Sequence, residues 1–398
     1  MIVIKMKSVL AWMVVCVLAV VFNACDVDSN DVGGSTCGDA TCDPGETTTS
    51  CPTDCGNENG SGPSESAKPT SLPTFDDVRL YTADSPLNQK IPVDAEIDPN
   101  STEYVNVIVQ AVAAAGFVIE FKQFSAPVYF SDSQTPRHDV VLACGQDYAG
   151  VDALTGVPIP DFAEPADDID GADNPIPFGV CGDAADQDNQ MIILDLDTRC
   201  EYDFFQVRLE NGRWVASWAN SISLDSQGIY PTGFSARGSG FATLAGLIWP
   251  DELQQGQINH ALGFSYPGVA AGGPVPPATE SDGVSTGLWA LPEGARLQLD
   301  PSLDLDTLEL TPYAKTIAKA LQEYGMILFD DGSSGVSVES LDPKSTRANP
   351  YEGLLPDVDF PELNDIPLDR LRLLKLPPQN ANANETNELL TSGCAAFE

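Results

Sequence analysis

The chain has 398 residues, 42% of them hydrophobic, and carries 59 acidic against 19 basic side chains for a formal net charge of −40. A charge this negative repels nucleic acid and anionic membrane surfaces, so it argues against a nucleic-acid-binding function. The length and hydrophobic content are sufficient for one large domain or two smaller ones with a sizeable core.

Residues 1–24 have the pattern of a signal peptide. Lys5 and Lys7 precede an apolar run of about 15 residues, which is short for a membrane-spanning helix. Ala24 and Cys25 follow, as in a bacterial lipoprotein signal whose cysteine becomes the lipidated N-terminus. We therefore expect an exported cell-envelope lipoprotein that contacts the membrane only through the lipid on Cys25, with ordinary secretion as the alternative.

Cysteines dominate the segment that follows a tether at residues 25–36. Residues 37–56 contain four of them in the pattern C-x4-C-x8-C-x3-C, which resembles a small cysteine module of secreted myxobacterial proteins. A unit of this size has no room for an apolar core, so disulfides must hold it together. The cysteines expected to form disulfides, with their pairing left open, are Cys37, Cys42, Cys51, Cys55, Cys144, Cys181, Cys200 and Cys394.

Two helices are predicted in the remainder of the chain. The first covers residues 101–115, where Asn100 and Glu103 form a potential capping box and Gly116 ends the helix. The second begins after Thr311, because a proline suits the first helical turn.

Most of the main domain, residues 75–398, is predicted to be β-structure. It follows a linker rich in Gly, Ser and Pro at residues 57–74. Short alternating or apolar runs predict strands at "MIILDLD", "GARLQLD", "MILFDDG" and "LRLLKL". Many strands with two or more short helices predict a mainly β fold, specifically a β-sandwich of the jelly-roll kind.

A hairpin is predicted around Asn211 and Gly212, since Asn-Gly favours a two-residue type I′ turn. One face of this hairpin is aliphatic and aromatic, so we expect that face to be buried. Its tryptophans, Trp214 and Trp218, are interpreted either as core residues or as a surface on which a sugar stacks. The expected cross-strand pairs are Glu210 with Arg213, Leu209 with Trp214, Val207 with Ala216 and Phe205 with Trp218.

His260 is one of only two histidines in the chain, the other being His138. The segment "QINHALGFSY" alternates like a strand and places His260 on the apolar face with Leu262 and Phe264. Three interpretations remain open: a hydrogen-bonded core residue, a general base or a metal ligand. The chain has neither an H-x-H nor an H-E-x-x-H motif, so transition-metal binding has little support.

The chemistry that we consider is cleavage of polysaccharide. Glycoside hydrolysis requires two carboxyl groups, and β-elimination requires a base with a group that neutralises the sugar carboxylate. The serine-nucleophile, phosphate-loop and dinucleotide motifs are absent from the sequence. The candidate catalytic residues are Glu201, Glu252, His260 and Asp282, and the candidate substrate-binding residues are Arg237, Tyr202 and Trp249.

The acidic segment "DDIDGADN" places oxygen-bearing side chains at alternate positions around a glycine. Hard cations prefer oxygen ligands, so Asp168, Asp170 and Asp173 are candidate Ca²⁺ ligands. The segment lacks the glutamate that completes an EF-hand loop, and a solvated acidic loop is the alternative interpretation.

Residues 186–343 resemble a group of secreted bacterial proteins of uncharacterised function. The stretches that carry this resemblance are "NQMIILDLDTRCEYDF", "PTGFSARGSGFATLAGLIWPDELQQGQINHAL", "LPEGARLQL" and "ALQEYGMILFDDG". The resemblance implies that Glu252, His260, Arg296 and Tyr324 occupy shared motif positions, and it implies no established activity.

The sequence therefore predicts a surface-anchored lipoprotein, expected to be a monomer, that binds or cleaves an extracellular glycan. The alternative is a non-catalytic envelope or adhesion protein whose loops are stiffened by Ca²⁺. An enzyme should gather the candidate residues in one open pocket with shifted pKa values. A structural protein should show them scattered or enclosed by hydrogen bonds.

Overall fold

The computed structural model describes the main domain and only a small part of what precedes it. The chain divides into two units, Met1–Ser61 and Gly62–Glu398, and all described residues belong to the second. The predictions for the signal peptide, Cys25, the tether and the cysteine module lie outside the described residues, as do those for Asp170, Asp173 and Cys181. The described residues are 68–144, 153–166, 168, 188–332, 335–383 and 394.

Short strands make up most of the described secondary structure. The strands are β1 (Phe117–Glu120), β2 (Val128–Ser131), β3 (Arg137–Leu142), β4 (Ala153–Pro158), β5 (Met191–Asp195), β6 (Cys200–Phe205), β7 (Arg208–Glu210), β8 (Arg213–Ala216), β9 (Trp218–Ser223), β10 (Leu262–Tyr266), β11 (Arg296–Leu299), β12 (Met326–Asp331), β13 (Val336–Glu339) and β14 (Leu371–Leu373). The described α-helices are α1 (Phe75–Val78), α2 (Ser101–Ala115), α3 (Pro250–Gln255) and α4 (Pro312–Glu323). None of these helices has the length and apolar character needed to cross a membrane.

The strands form three mixed sheets. One has six strands in the order β1-β13-β10-β12-β11-β14, and the two others have the orders β2-β5-β6-β9 and β4-β3-β8-β7. The fold is therefore mainly β, as predicted. The pairs β1–β13, β10–β12, β2–β5 and β3–β8 are parallel, whereas a jelly roll is built from antiparallel strands. The jelly-roll arrangement is not confirmed and stays a prediction.

The helix predictions are confirmed in their bounds but not in every cap. Helix α2 covers Ser101–Ala115 as predicted, and Gly116 ends it with a left-handed φ of 94°. The predicted capping box is wrong, because the Asn100 side chain makes no capping hydrogen bond and its backbone N–H donates to Asp98 instead, at 2.9 Å. At α4 the Thr311 hydroxyl does accept from a backbone N–H of the first turn, as predicted.

The hairpin prediction is confirmed in register and wrong in burial at its tip. Asn211 and Gly212 have φ values of 49° and 75°, as a type I′ turn requires. Glu210 pairs with Arg213, and Leu209 pairs with Trp214. Leu209 is nevertheless 59% exposed. The expected burial of the whole face fails there, at the tip of β7, which is an edge strand of its sheet.

The two arms of this hairpin separate between the turn and the predicted pair Phe205–Trp218. That pair exists, but it joins β6 to β9 in a different sheet from β7 and β8. Gln206 has a left-handed φ of 53°, and its side-chain oxygen accepts a hydrogen bond from the Ser217 hydroxyl at 2.6 Å. The backbone therefore turns at Gln206 and Ser217, and one hairpin contributes to two sheets.

The main domain begins before residue 75, within the predicted linker. Lys68 is buried and forms an ion pair with Glu164, at 2.7 Å. The backbone N–H of Arg347 donates to the carbonyl of Pro69, and the Thr74 hydroxyl caps α1. Residues 68–74 therefore pack on the domain instead of spanning solvent.

Candidate functional site

His260 lies immediately before β10 and not within a strand. The strand begins at Leu262, and all five of its residues are buried. The predicted alternation of one apolar and one polar face is therefore wrong. The physical reason is that both faces of β10, which lies between β13 and β12 in the six-stranded sheet, are covered. A central strand covered on both faces has no solvent side to alternate with.

His260 forms a buried pair with Glu252 of α3. The Nε2 atom of His260 lies 3.2 Å from Oε2 of Glu252, and Nδ1 lies 2.9 Å from the carbonyl oxygen of Ala261. A carbonyl oxygen only accepts, so Nδ1 carries a hydrogen. Burial lowers the pKa of His260, but the negative charge of Glu252 and its hydrogen bond outweigh burial, and the net pKa is raised. The arrangement favours an imidazolium paired with a carboxylate.

The surroundings of this pair are closed. His260 is 3% exposed and Glu252 is 4% exposed. The Phe75 ring of α1 stacks on the imidazole with ring centres 4.8 Å apart. The adjoining cavity, which Tyr81 and Leu244 also line, has a volume of about 10 Å³. That volume suits a single water molecule, not a sugar.

Glu201 forms a second buried pair, with Asp203, two residues further along β6. Alternate residues of a strand point to the same face, and these two carboxyl groups are hydrogen-bonded to each other. Both residues are 0% exposed. The hydroxyl of Tyr81 donates to Glu201 at 2.8 Å, and that of Tyr230 donates to Asp203 at 3.0 Å. The backbone N–H groups of Leu244 and Thr243 complete the enclosure of Glu201 and Asp203 respectively.

The protonation of this pair follows from its burial. Desolvation raises the pKa of both groups, and the charge of Asp203 raises the pKa of Glu201 further, well above its usual value. Two carboxyl groups in contact do not both ionise readily. Burial and mutual repulsion therefore favour a state in which the pair retains a proton.

Arg237, a candidate substrate-binding residue, is paired with an acidic side chain inside the fold. It is 5% exposed and makes two hydrogen bonds to Glu339, at 3.1 and 2.7 Å. Further acidic groups surround it, and burial together with the charges of Asp168 and Glu339 raises the pKa of Asp188 to about 7. Arg237 thus neutralises a buried acidic cluster and does not face solvent.

The candidate aromatic residues are mostly part of the core. Trp249 is 0% exposed, and Trp214 and Trp218 are 8% and 6% exposed. The indole N–H of Trp218 donates to the carbonyl of Ser235 at 2.6 Å. Tyr202 of β6 is half-buried, and burial raises the pKa of its hydroxyl.

Asp282, the remaining candidate catalytic residue, belongs to an acidic group that lies apart from the two pairs described above. One ligand oxygen each from Asp282, Glu293 and Asp330 lies within 4.8 Å of the others, and we call these three residues the acidic triad. Burial, followed by the charge of Asp282, raises the pKa of Glu293 to about 10. Sequence reasoning missed Glu293 and Asp330, although both lie in the quoted stretches "LPEGARLQL" and "MILFDDG".

The predicted calcium loop is described only at Asp168. This residue is 3% exposed, and its carboxylate accepts hydrogen bonds from the backbone N–H groups of Phe124, Asp188 and Asn189, at 3.2, 2.7 and 2.7 Å. Its oxygens therefore hold the backbone together where a calcium ligand was predicted.

Among the predicted disulfide cysteines, Cys200 and Cys394 are bonded to each other, with Cα atoms 5.8 Å apart. Cys144 is also disulfide-bonded. The Cys200–Cys394 bond attaches the C-terminal end of the chain to β6.

The four positions implied by the family resemblance meet as two pairs. Glu252 contacts His260, as described above. The Arg296 guanidinium donates to the backbone carbonyls of Tyr324 and Pro86, at 2.8 and 3.1 Å. Glu252 and His260 are near neighbours in sequence, whereas Arg296 joins segments as far apart as Pro86 and Tyr324.

The candidate residues thus do not converge on one open pocket: His260 pairs with Glu252, Glu201 pairs with Asp203, and Asp282 lies in the acidic triad. The triad adjoins Arg237 through Asp330. No family model, curated protein or solved structure matches the chain. The resemblance to the uncharacterised secreted group accordingly stays a prediction.

Proposed function

We propose that this chain is a non-catalytic envelope or adhesion protein, exported and held at the membrane by a lipid on Cys25. The proposal is supported by one observation above all. Of the four candidate catalytic residues, Glu201, Glu252 and His260 are at most 4% exposed and are hydrogen-bonded within the fold. Asp282 is exposed, but it belongs to a different group.

This arrangement of carboxyl groups is unsuited to glycoside cleavage. The two carboxyl groups must stand about 5 to 9 Å apart with a sugar between them. Glu201 and Asp203 are in direct hydrogen-bonding contact, and no space for a sugar ring separates them. The His260–Glu252 pair has a cavity of only about 10 Å³ beside it. A reaction at either place would first require the core to open.

A polysaccharide panel tests the absence of catalysis. The full chain is incubated with neutral and acidic polysaccharides, with and without a chelator, and reducing ends and unsaturated products are measured. We expect neither product above the level given by Glu201→Gln and Glu252→Gln proteins. Product formation by the wild type that either substitution abolishes would contradict the proposal.

Lipid attachment is tested independently of catalysis. Cells expressing the chain are labelled with radioactive palmitate, and the immunoprecipitated protein is counted. We expect label in the wild type and in Cys16→Ala, and no label in Cys25→Ala. Equal labelling of the two variants would remove the anchor from the proposal.

A second candidate function, binding of a glycan without cleavage, is favoured by the surface near Trp289. This tryptophan is half-buried, packs edge-on against Tyr104 with ring centres 5.4 Å apart, and follows Leu288, which is 77% exposed. An aromatic side chain supported in this way presents a rigid apolar surface on which a sugar ring can stack. We expect Trp289→Ala to lose retention on a glycan array while Leu209→Ala, at another exposed apolar position, keeps it. Equal retention of both variants would argue against this second function.

A further inference from the structure

The acidic triad contains a glutamate whose charge has no partner in the fold. Glu293 is 0% exposed, and neither of its carboxyl oxygens has a hydrogen-bond partner of ordinary geometry among the described residues. The Ser281 hydroxyl is near enough to lower the pKa of Glu293 in part, yet the net pKa remains raised. Most buried carboxyl groups are hydrogen-bonded or paired with a charge, because leaving one unsatisfied is costly. Among the described residues, Glu293 therefore has no charged partner.

The carboxyl group of Glu293 lies beside the acids Asp282 and Asp330, and the one cation that acts on Asp330 among the described residues, Arg237, is hydrogen-bonded to Glu339. The mutual distances of at most 4.8 Å bring one oxygen from each triad residue around a common point. The three residues differ in exposure: Asp282 is exposed, Asp330 is half-buried and Glu293 is buried. Like charges this close repel one another unless a positive charge lies among them. The exposed Asp282 leaves that common point reachable from solvent.

We infer that Asp282, Glu293 and Asp330 bind a calcium ion. Three carboxylates form an all-oxygen donor set, which hard divalent cations prefer. Ca²⁺ binds oxygen at about 2.3–2.6 Å, so two of its ligands can be up to about 5 Å apart, whereas Mg²⁺ at about 2.0–2.1 Å limits them to about 4 Å. The three ligand oxygens all lie within 4.8 Å of one another, which is inside the limit for Ca²⁺. Water molecules complete the coordination from the side of Asp282.

Gly238 leaves room for the Asp282 carboxylate. A Cβ atom at Gly238 would lie 2.5 Å from Oδ2 of Asp282, so any larger side chain there would displace the carboxylate. The space that position 238 leaves open is thus occupied by a triad ligand. This site is separate from the predicted calcium loop at Asp168, whose carboxylate is occupied by backbone N–H groups.

The cation would bridge the connection between β10 and β11, which carries Asp282 and Glu293, to β12, and it would add to the backbone hydrogen bond from Gly294 to Leu328 at 2.9 Å that already joins them. Asp282 lies between β10 and β11, Glu293 precedes β11, and Asp330 lies in β12. Calcium binding goes beyond the proposed function, because a protein with or without catalytic activity could contain such a site. The polysaccharide panel and the calcium titration can therefore fail independently of each other.

Titration of the full chain with calcium tests the inference. The protein is first treated with chelator and dialysed into 150 mM NaCl, a concentration chosen to suppress loose binding to the acidic surface, and CaCl₂ is added in a calorimeter. Three variants are compared with the wild type: Glu293→Gln, Asp282→Asn and, as a matched loss of one charge, Asp94→Asn in an exposed turn. Both triad substitutions preserve side-chain shape, and Asp282 is exposed, so at least that variant should fold.

We expect the wild type and Asp94→Asn to bind calcium with equal affinity. Glu293→Gln and Asp282→Asn should each lose one equivalent of bound calcium or weaken its binding at least tenfold. Saturating calcium should raise the wild-type unfolding midpoint by about 3 °C or more, and this rise should be absent from both triad variants.

Two results would overturn the inference. One is equal calcium stoichiometry and affinity in the wild type and in both triad variants, which would place any bound calcium elsewhere. The other is a thermal response to Mg²⁺ without a response to Ca²⁺. If Glu293→Gln does not fold, the comparison of Asp282→Asn with the wild type still tests the inference.

Discussion

The Nε2 atom of His260 lies 3.2 Å from Oε2 of Glu252, and both side chains are buried between α3 and the start of β10. The same Glu252 oxygen accepts the backbone N–H of Trp249 at the start of α3, at 3.1 Å. The pair therefore connects a helix N-terminus to a central strand of the six-stranded sheet. In this location, His260 makes contacts that stabilise the fold.

Removal of either member of this pair should destabilise the protein. We expect His260→Ala and Glu252→Ala each to lower the free energy of unfolding by about 3 kcal/mol, because each leaves a buried group without its partner. The double variant should lose less than the sum, since both changes remove the same interaction. Urea unfolding followed by tryptophan fluorescence measures all three values. Strictly additive losses would show that the two side chains do not interact.

The Glu201–Asp203 pair should make stability depend on pH. Burial raises the pKa of Glu201 in the folded state well above the ordinary value of a glutamate, so the folded protein retains a proton that the unfolded chain releases. This contribution to stability is complete below about pH 4.5 and declines as pH rises toward the folded pKa. Glu201→Gln keeps the shape and removes the proton equilibrium. The stability of the wild type relative to Glu201→Gln should therefore fall between pH 5 and pH 8.

Urea unfolding at unit pH intervals checks this prediction. Glu103→Gln, on the exposed side of α2, removes an equal charge from the surface and is the control. A wild-type stability that runs parallel to that of Glu201→Gln across the whole range would contradict a raised pKa at Glu201.

Arg237 should be required for stability and not for ligand binding. In Arg237→Met, Glu339 loses the two hydrogen bonds at 3.1 and 2.7 Å that neutralise it. We expect the free energy of unfolding to fall by about 3 to 5 kcal/mol, as for other buried ion pairs that lose one member. Adding Glu339→Gln to this variant should restore part of the loss. A loss below about 1 kcal/mol in urea unfolding would disagree with the buried pairing.

The disulfide between Cys200 and Cys394 should stabilise the domain by restricting the unfolded chain. The two cysteines are 194 residues apart in sequence, and loops of such length give a large entropic effect in the chain-entropy model. We expect Cys200→Ala/Cys394→Ala to lower the free energy of unfolding by about 2 to 5 kcal/mol. The measurement is denaturant unfolding under non-reducing conditions, with mass spectrometry of the peptides as proof of the bond. Unchanged stability would contradict a bond that restricts the unfolded chain.

Local chemistry allowed several elements to be predicted from sequence. Asn211 and Gly212 define a type I′ turn, and that turn alone determined the pairing of Glu210 with Arg213. Thr311 before a proline was sufficient to place the start of α4. The capping box at Asn100 failed because the Asp98 carboxylate accepts the Asn100 N–H instead. A competing acceptor two residues away, the Asp98 carboxylate, was enough to prevent the capping box from forming.

Burial was the property that sequence patterns predicted least well. The alternation around His260 suggested a strand with one solvent face, but whether such a face exists depends on what packs over the two faces of the sheet, and all five residues of β10 are buried. The position of Asp203 two residues after Glu201 does predict one shared face. The hydroxyl groups of Tyr81 and Tyr230 that enclose the two carboxyl groups come from distant segments, and no spacing in the sequence connects them.

The sequence by itself determined the mainly β class, the turn and helix starts, and the strongly negative charge, because each depends on residue type or on contacts between near neighbours. Tertiary structure alone decided which acids are buried, which are paired and which three come together at Asp282, Glu293 and Asp330. Desolvation and charge repulsion act through space, so they depend on how distant segments pack and not on their order in the chain.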